Sequence, residues 1–288
     1  MALQLDSAWR EKDGTCYECA RHSPLRERAM RHSIVACLAV VVASSWSAAV
    51  RSQQPAAEPA RPYVMPADTP AYIRKAVESS ERSDDMRARD FHRKPAEVLT
   101  LAGLKEGDHV IEIAGFGQYF TTLLCAAVGP KGMIDVYDLP YTERFAGEAS
   151  RAFDAKHDNE VYHQESYNDA KLPQNVDAVY MILYYHDLKP QGVDTAAFNR
   201  KILAALKPGG TFLVIDHKAE DGSGWRDAAT IHRMGVETIK QEVLAAGFQL
   251  VRESDLLANP QDDRSKMVFA PGTRGTTDQA LFLFRKPR

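Results

Sequence analysis

The sequence predicts an α/β fold built on a doubly wound, mostly parallel sheet, and three observations carry that prediction. From about residue 69 onward, β-rich runs alternate with helical segments, the pattern of strand–helix–strand units. Several runs, AVYMIL (178–183) above all, are continuously apolar, as strands covered on both faces are. The last two runs have no helix between them, which predicts antiparallel pairing in a C-terminal edge hairpin.

Each element has its own local signal. AYIRKAVESS reads as a first helix and is followed by a polar, charged stretch. Pro95 suits the first turn of a helix through AEVLTLAG, and Gly103 suits the position just past its end. HVIEI (109–113) is the first strand; a glycine-containing turn leads to the apolar helix Tyr119–Val128. MIDVYDL is the second strand, followed by a helix across Thr142–His157 and a short strand at Val161–Gln164. VDAVYMILYY (176–185) is the fourth strand, Phe198–Leu206 a helix ending at KPGG, and TFLVIDH (211–217) the fifth strand. Val236–Ala246 places Val236, Ile239, Val243 and Leu244 at helical spacing, and Gly247 stops it. FQLVRES and QALFLFRK complete seven strands.

Composition narrows the class without naming a chemistry. The 288 residues are 44% hydrophobic and 26% charged, which excludes disordered, collagenous and multi-span membrane chains. A net charge of −3 provides no global basic field, so nucleic acid is not an expected partner. Four cysteines are too few for a disulfide scaffold.

The N-terminal region reads as an address label. Ile34 to Val50 is an apolar run of 17 residues, shorter than the roughly 20 a membrane-spanning helix needs. A cationic start at Met30-Arg31-His32 and a small-residue end at Ala48-Ala49 fit a secretory signal peptide over 30–52, with no stable membrane span after cleavage and an exported, periplasmic protein as the consequence. Residues 1–29 are then an extension ahead of Met30 or, on the competing reading, a cytoplasmic tail before an uncleaved anchor, and in it Cys16 and Cys19 form a lone C-x-x-C. Residues 53–68 carry prolines 55, 59, 62 and 66 and read as a linker, leaving 69–288 as the folded domain.

In a doubly wound sheet, ligands sit beyond the carboxyl ends of the strands at the switch point. Functional groups are therefore expected just after Ile113, Tyr137, Tyr184 and Ile215. His186-Asp187 and His232 are the candidate catalytic residues, since a histidine near a carboxylate can act as a general base. His217 and Arg233 are candidates for the same rim. There is no H-E-x-x-H or G-x-x-x-x-G-K, and spacing alone names no metal ligand.

VIEIAGFGQYFTTLL, GPKGMIDVYDL and ALKPGGTFLVIDH together resemble the class I S-adenosylmethionine-dependent methyltransferases. RDFHRKPAEVLTLAGLKEGDHVIEI, YYHDL, HRM and the run from AAGFQLVRES to RGTTDQALFLFRKP resemble, more narrowly, a group of predicted exported methyltransferases. The resemblance covers about residues 84–287. It implies a Rossmann-like seven-stranded sheet, S-adenosylmethionine as cofactor and a small-molecule acceptor. Glu112 then takes the place that receives the cofactor's ammonium group, Asp138 the place that accepts the ribose hydroxyls, and Asp169, beside Asn168, the place near the adenine. Asp262-Asp263-Arg264 precedes the last strand and, in this reading, closes over the cofactor.

The first motif departs from the family. Ala114, Phe116 and Gln118 stand where its glycines belong, and Gly115 and Gly117 fall between, so these two glycines line the cofactor only if the loop register shifts. The departure leaves a second function open, a retired methyltransferase scaffold serving as a binding or accessory protein of the cell envelope. The sequence gives no oligomeric state.

Overall fold

The computed structural model describes residues 62–288. The proposed extension, the signal peptide and the linker up to residue 61 lie outside the described residues. The folded body reaches back before Thr69, because Tyr63 and Met65 pack against the core and the Tyr63 hydroxyl donates to Glu97 at 2.5 Å.

The chain enters through α1 (Ala71–Glu78), α2 (Asp84–Ala88), α3 (Asp90–Arg93) and α4 (Pro95–Ala102). The charged stretch before Pro95 is thus helical. Its short helices have no apolar period to betray them. Ser83 caps α2 by accepting from the Met86 amide at 3.2 Å. Pro95 opens α4, and Gly103 closes it in the left-handed conformation at φ 76°.

The sheet follows as β1 (His109–Ile113), α5 (Tyr119–Val128), β2 (Met133–Asp138), α6 (Gly147–Asp154), β3 (Glu160–Gln164), β4 (Val176–Ile182), α7 (Thr195–Ala205) and β5 (Leu206–His217). Then come α8 (Ala228–Ile231), α9 (Val236–Ala245), β6 (Gln249–Ser254) and β7 (Gln279–Arg285). The expected helix across Thr142–His157 is two pieces, a 3₁₀ turn over Pro140–Arg144 and α6. Glu143 in the first piece holds Arg151 in the second through two 2.7 Å bonds. KPGG lies within β5, whose first residue already pairs with Val176.

The strand order is β3-β2-β1-β4-β5-β7-β6. β1 through β5 are parallel, while β7 runs antiparallel between β5 and β6. Alternation along the strands sends side chains to two cores. Val110, Val136, Tyr180, Leu213 and Leu281 face α1, α4 and α5. Ile111, Tyr137, Val179, Val214 and Phe282 face α7 and α9. The order reverses between β1 and β4, which places the switch point beside the ends of those two strands. Among the described residues no helix is long and apolar enough to cross a membrane.

Candidate functional site

The turn after β1 sets the geometry. Ala114 and Gln118 both have positive φ, 65° and 52°, a conformation that costs a non-glycine residue on the order of 1–3 kcal/mol. These are the two outer glycine positions of the motif, so the loop keeps its unshifted register. Gly115 and Gly117 do not take over the left-handed positions. Gly115 is required for a different reason: a Cβ there would lie 2.6 Å from Val136 Cγ1 and 3.0 Å from Glu112 Oε2. Nothing lies within 4 Å of the corresponding point at Gly117.

Glu112 points under this loop, where Thr121 Oγ1 donates to its Oε2 at 2.6 Å. Burial pushes its carboxyl up to about 8, opposed by the Thr121 bond. Asp138, the last residue of β2, is completely buried. The Tyr162 hydroxyl donates to its Oδ2 at 3.3 Å, while its Oδ1 has no hydrogen-bond partner. Burial raises this carboxyl to about 7, with Tyr162 and the amides of Phe116 and Gly115 acting in the other direction. The Gln118 side-chain nitrogen is also buried without a partner. The β1 turn and the end of β2 therefore carry an unused donor and an unused acceptor, two of eight such buried side-chain atoms among the described residues.

Aromatic rings pack between the β1 turn and the end of β4. Phe116 meets Phe145 and Tyr184 edge-to-face at 5.6 and 6.0 Å. The hydroxyls of Tyr141 and Tyr184 lie 3.1 Å apart. Burial raises Tyr141 to about 12, and the nearby charge of Asp187 adds to the rise. Asp169 is exposed in the turn after β3, and neighbouring Asn168 is spent on the loop before α7, donating to Gly192 O at 2.9 Å and accepting from Asp194 N at 3.0 Å.

The ends of β4 and β5 and the end of α8 bring His186, Asp187 and His232 together. His186 Nε2 lies 3.3 Å from His232 Nδ1 and 3.6 Å from Asp187 Oδ1, and His232 Nδ1 lies 3.2 Å from the same carboxylate oxygen. Behind them stands Asp216, which the sequence reading did not single out. It accepts from the His186 amide, faces His186 Nδ1 and accepts from the His217 amide, each at 2.7 Å. Burial opposes protonation of His186, but the charges of Asp216 and Asp187 outweigh it and raise its pKa. His217 is a neighbour of the group rather than a member: its Nδ1 is taken by Thr277 Oγ1 at 2.7 Å, and burial holds it well below the usual imidazole range.

Arg233 and the acidic turn play supporting roles. Arg233 is fully buried and forks onto Asp262 at 2.7 and 3.1 Å. Arg264 reaches Asp278 at 3.0 Å and Asp221 at 3.1 Å. The turn expected to close over a cofactor is thus spent on fastening the segment that carries His232. Sequence reasoning also missed Arg93, whose guanidinium carbon sits 4.6 Å from the centre of the Tyr119 ring. Burial and the like charge of Arg89 bring Arg93 down to about 10. Its signal was hidden in the charged stretch that did not read as helix.

Comparison with protein-family models gives no match, and comparison with curated protein sequences gives none. Solved structures do match. A SAM-dependent methyltransferase from Aquifex aeolicus is similar at a TM-score of 0.51 with 19% identity, over 74% of this chain and 96% of that one. A structure of a Haloferax volcanii methyltransferase activator in complex with a protein described as a methyltransferase matches at a TM-score of 0.50 with 18% identity, over 76% of this chain and 98% of that one. The fold is the class I methyltransferase fold. Likeness at these identities establishes architecture, and function has to be argued from the site.

Proposed function

We propose that the protein is an S-adenosylmethionine-dependent methyltransferase acting on a small-molecule acceptor. The observation that carries the proposal is the unpartnered Oδ1 of the buried Asp138, at the strand end where two ribose hydroxyls would donate to a carboxylate. The residues fit the cofactor in three respects. The β1 turn keeps its left-handed backbone at Ala114 and Gln118, the Gln118 nitrogen is an unused donor, and Glu112 supplies a carboxyl below the loop for an ammonium group.

When bound, the cofactor supplies an electrophilic methyl group on a sulfonium, so the protein's task is alignment and proton management. Asp138 would hold the ribose and Glu112 the amino-acid end, each switching to its ionised form as it gains donors. Since Asp138 has no exposed surface, the ligand reaches it only if the aromatic cluster around Phe116 opens. The Tyr141 and Tyr184 hydroxyls and the His186–Asp187–His232 group would offer polar contacts to an acceptor beyond the strand ends.

A ligand that binds only the folded chain raises its melting temperature by mass action, by about 2.7 kcal/mol of stability at a hundredfold excess over Kd. S-adenosylhomocysteine should raise the melting temperature of the protein, and Asp138→Asn should reduce the rise. A folded protein with an unchanged melting temperature at millimolar ligand would leave a scaffold that no longer uses this cofactor.

A further inference from the structure

His186 and His232 are 46 positions apart, yet two of their ring nitrogens and one oxygen of Asp187 form a compact triangle. Its edges are 3.2, 3.3 and 3.6 Å. Donor atoms held 2.0–2.2 Å from one ion at tetrahedral angles stand about 3.4 Å from each other. We propose that His186 Nε2, His232 Nδ1 and Asp187 form a binding site for a divalent transition-metal ion. This site stands on its own residues and does not rest on the methyltransferase reading.

The surroundings are those of a metal ligand set. Asp216 is completely buried and acts as an acceptor for the amides of His186 and His217. Both oxygens of Asp216 already accept backbone amides, so its 2.7 Å contact with His186 Nδ1 places the hydrogen on Nδ1 and turns the Nε2 lone pair toward Asp187 and His232. A carboxylate behind a ligating histidine fixes tautomer and ring orientation in this way. His232 is fixed from the other side. It sits at the end of α8 in the left-handed conformation at φ 55°, its ring is 5.1 Å from that of Phe269, and the next residue, Arg233, is bolted to Asp262 and to the carbonyls of Lys218 and Lys266.

Exposure rises across the three ligands, from 3% for the His186 side chain through 16% for Asp187 to 29% for His232. The ion would thus be anchored on its inner side and open outward, with a position left for water or for a donor atom of a substrate. Two imidazoles and one carboxylate suit zinc, iron(II) or cobalt(II) and not magnesium or calcium, which take oxygen ligands.

The test is titration of the chelator-treated full chain with Co(II), followed by visible absorption. One saturating equivalent per chain is expected, displaced by Zn(II). His232→Ala and Asp187→Ala should each weaken binding at least tenfold. Asp216→Asn should weaken it by about 10–100-fold by disturbing the carboxylate that orients His186. Thermal melting of each variant establishes that it remains folded. Replacing Cys16 and Cys19 by serine should leave the titration unchanged. No saturable binding by the folded chain would overturn the proposal. So would binding that survives both His232→Ala and Asp187→Ala, or binding lost when the two cysteines are replaced. A failure to bind S-adenosylhomocysteine would leave the Co(II) titration untouched, so the two readings fail separately.

Discussion

Asp138 at the end of β2 and Asp216 near the end of β5 are both completely buried, but they are provisioned differently. Asp216 sits among three nitrogens at 2.7 Å, all from the histidines that follow β4 and end β5. Asp138 accepts one long side-chain bond, from Tyr162, beside the amides of Phe116 and Gly115, and its Oδ1 has no partner of good geometry. A carboxylate surrounded by the protein's own donors is scaffolding, since its desolvation is already offset. A carboxylate left short at the same depth lacks the donors that a ligand would bring. The contrast separates the part of the strand-end rim that holds shape from the part that awaits something.

The comparison breaks most visibly at Asp216. Asp216→Ala strands its nitrogens in the interior and should cost about 3–5 kcal/mol, a fall in melting temperature on the order of 10 °C. Asp138→Asn should instead change stability by about 1 kcal/mol or less, because its one side-chain bond is long and an amide oxygen can still accept. Its effect should appear in ligand binding, a loss of tenfold or more from hydrogen bonds to a charged acceptor worth about 1.5–3 kcal/mol. If the two substitutions cost the same stability, the distinction between scaffold and vacant acceptor fails.

The pH dependence sharpens the same contrast on the β1 side. With Glu112 at about 8 against an ordinary 4.5, the folded protein holds a proton that the unfolded chain has released between those values. Glu112 should therefore lower stability as pH rises from 4.5 to about 8 by at most about 1.4 kcal/mol per pH unit, in addition to the same effect from Asp138 and Glu160, and Glu112→Gln should remove its share of that slope in chemical denaturation. Binding a cationic ligand favours both carboxylates in their ionised forms. With Asp138 raised to about 7, affinity for S-adenosylmethionine should increase from pH 6 to pH 8, with net proton release seen as a buffer-dependent heat.

A smaller effect on binding is expected at Phe116, half-buried against Tyr184 and Phe145. Phe116→Ala should cost about 1–2 kcal/mol, less than a fully buried phenylalanine, and should speed ligand association by loosening the closure over Asp138. Stopped-flow fluorescence reads that rate directly; an unchanged rate would mean the rings do not gate the slot.

Much of this frame was legible in the sequence because strands buried on both faces leave continuous apolar runs, and because the acids at the ends of HVIEI and MIDVYD sit where topology makes ligands converge. The elements that escaped had no period to read. DDMRARDFHR folds into two short helices capped by Ser83 and pinned by Arg82 on Asp90 at 2.9 Å, a tertiary contact rather than a pattern. The break between Arg144 and Gly147 follows from the 3₁₀ turn at Pro140–Arg144, again without a periodic signature. At the site, Glu112, Asp138, His186 and His232 could be named from strand ends and turns. The convergence of His186 and His232 could not, because it depends on α8 turning back over the β4 end and on Asp216 from a third strand orienting the ring.

The role of Asp138 is tested most directly by isothermal titration of the protein with S-adenosylmethionine beside the Asp138→Asn variant. One-to-one binding, weakened tenfold or more in a variant that melts within a few degrees of the parent, is the predicted result. Equal affinity in the two proteins, or no binding by the folded parent at millimolar ligand, would contradict it.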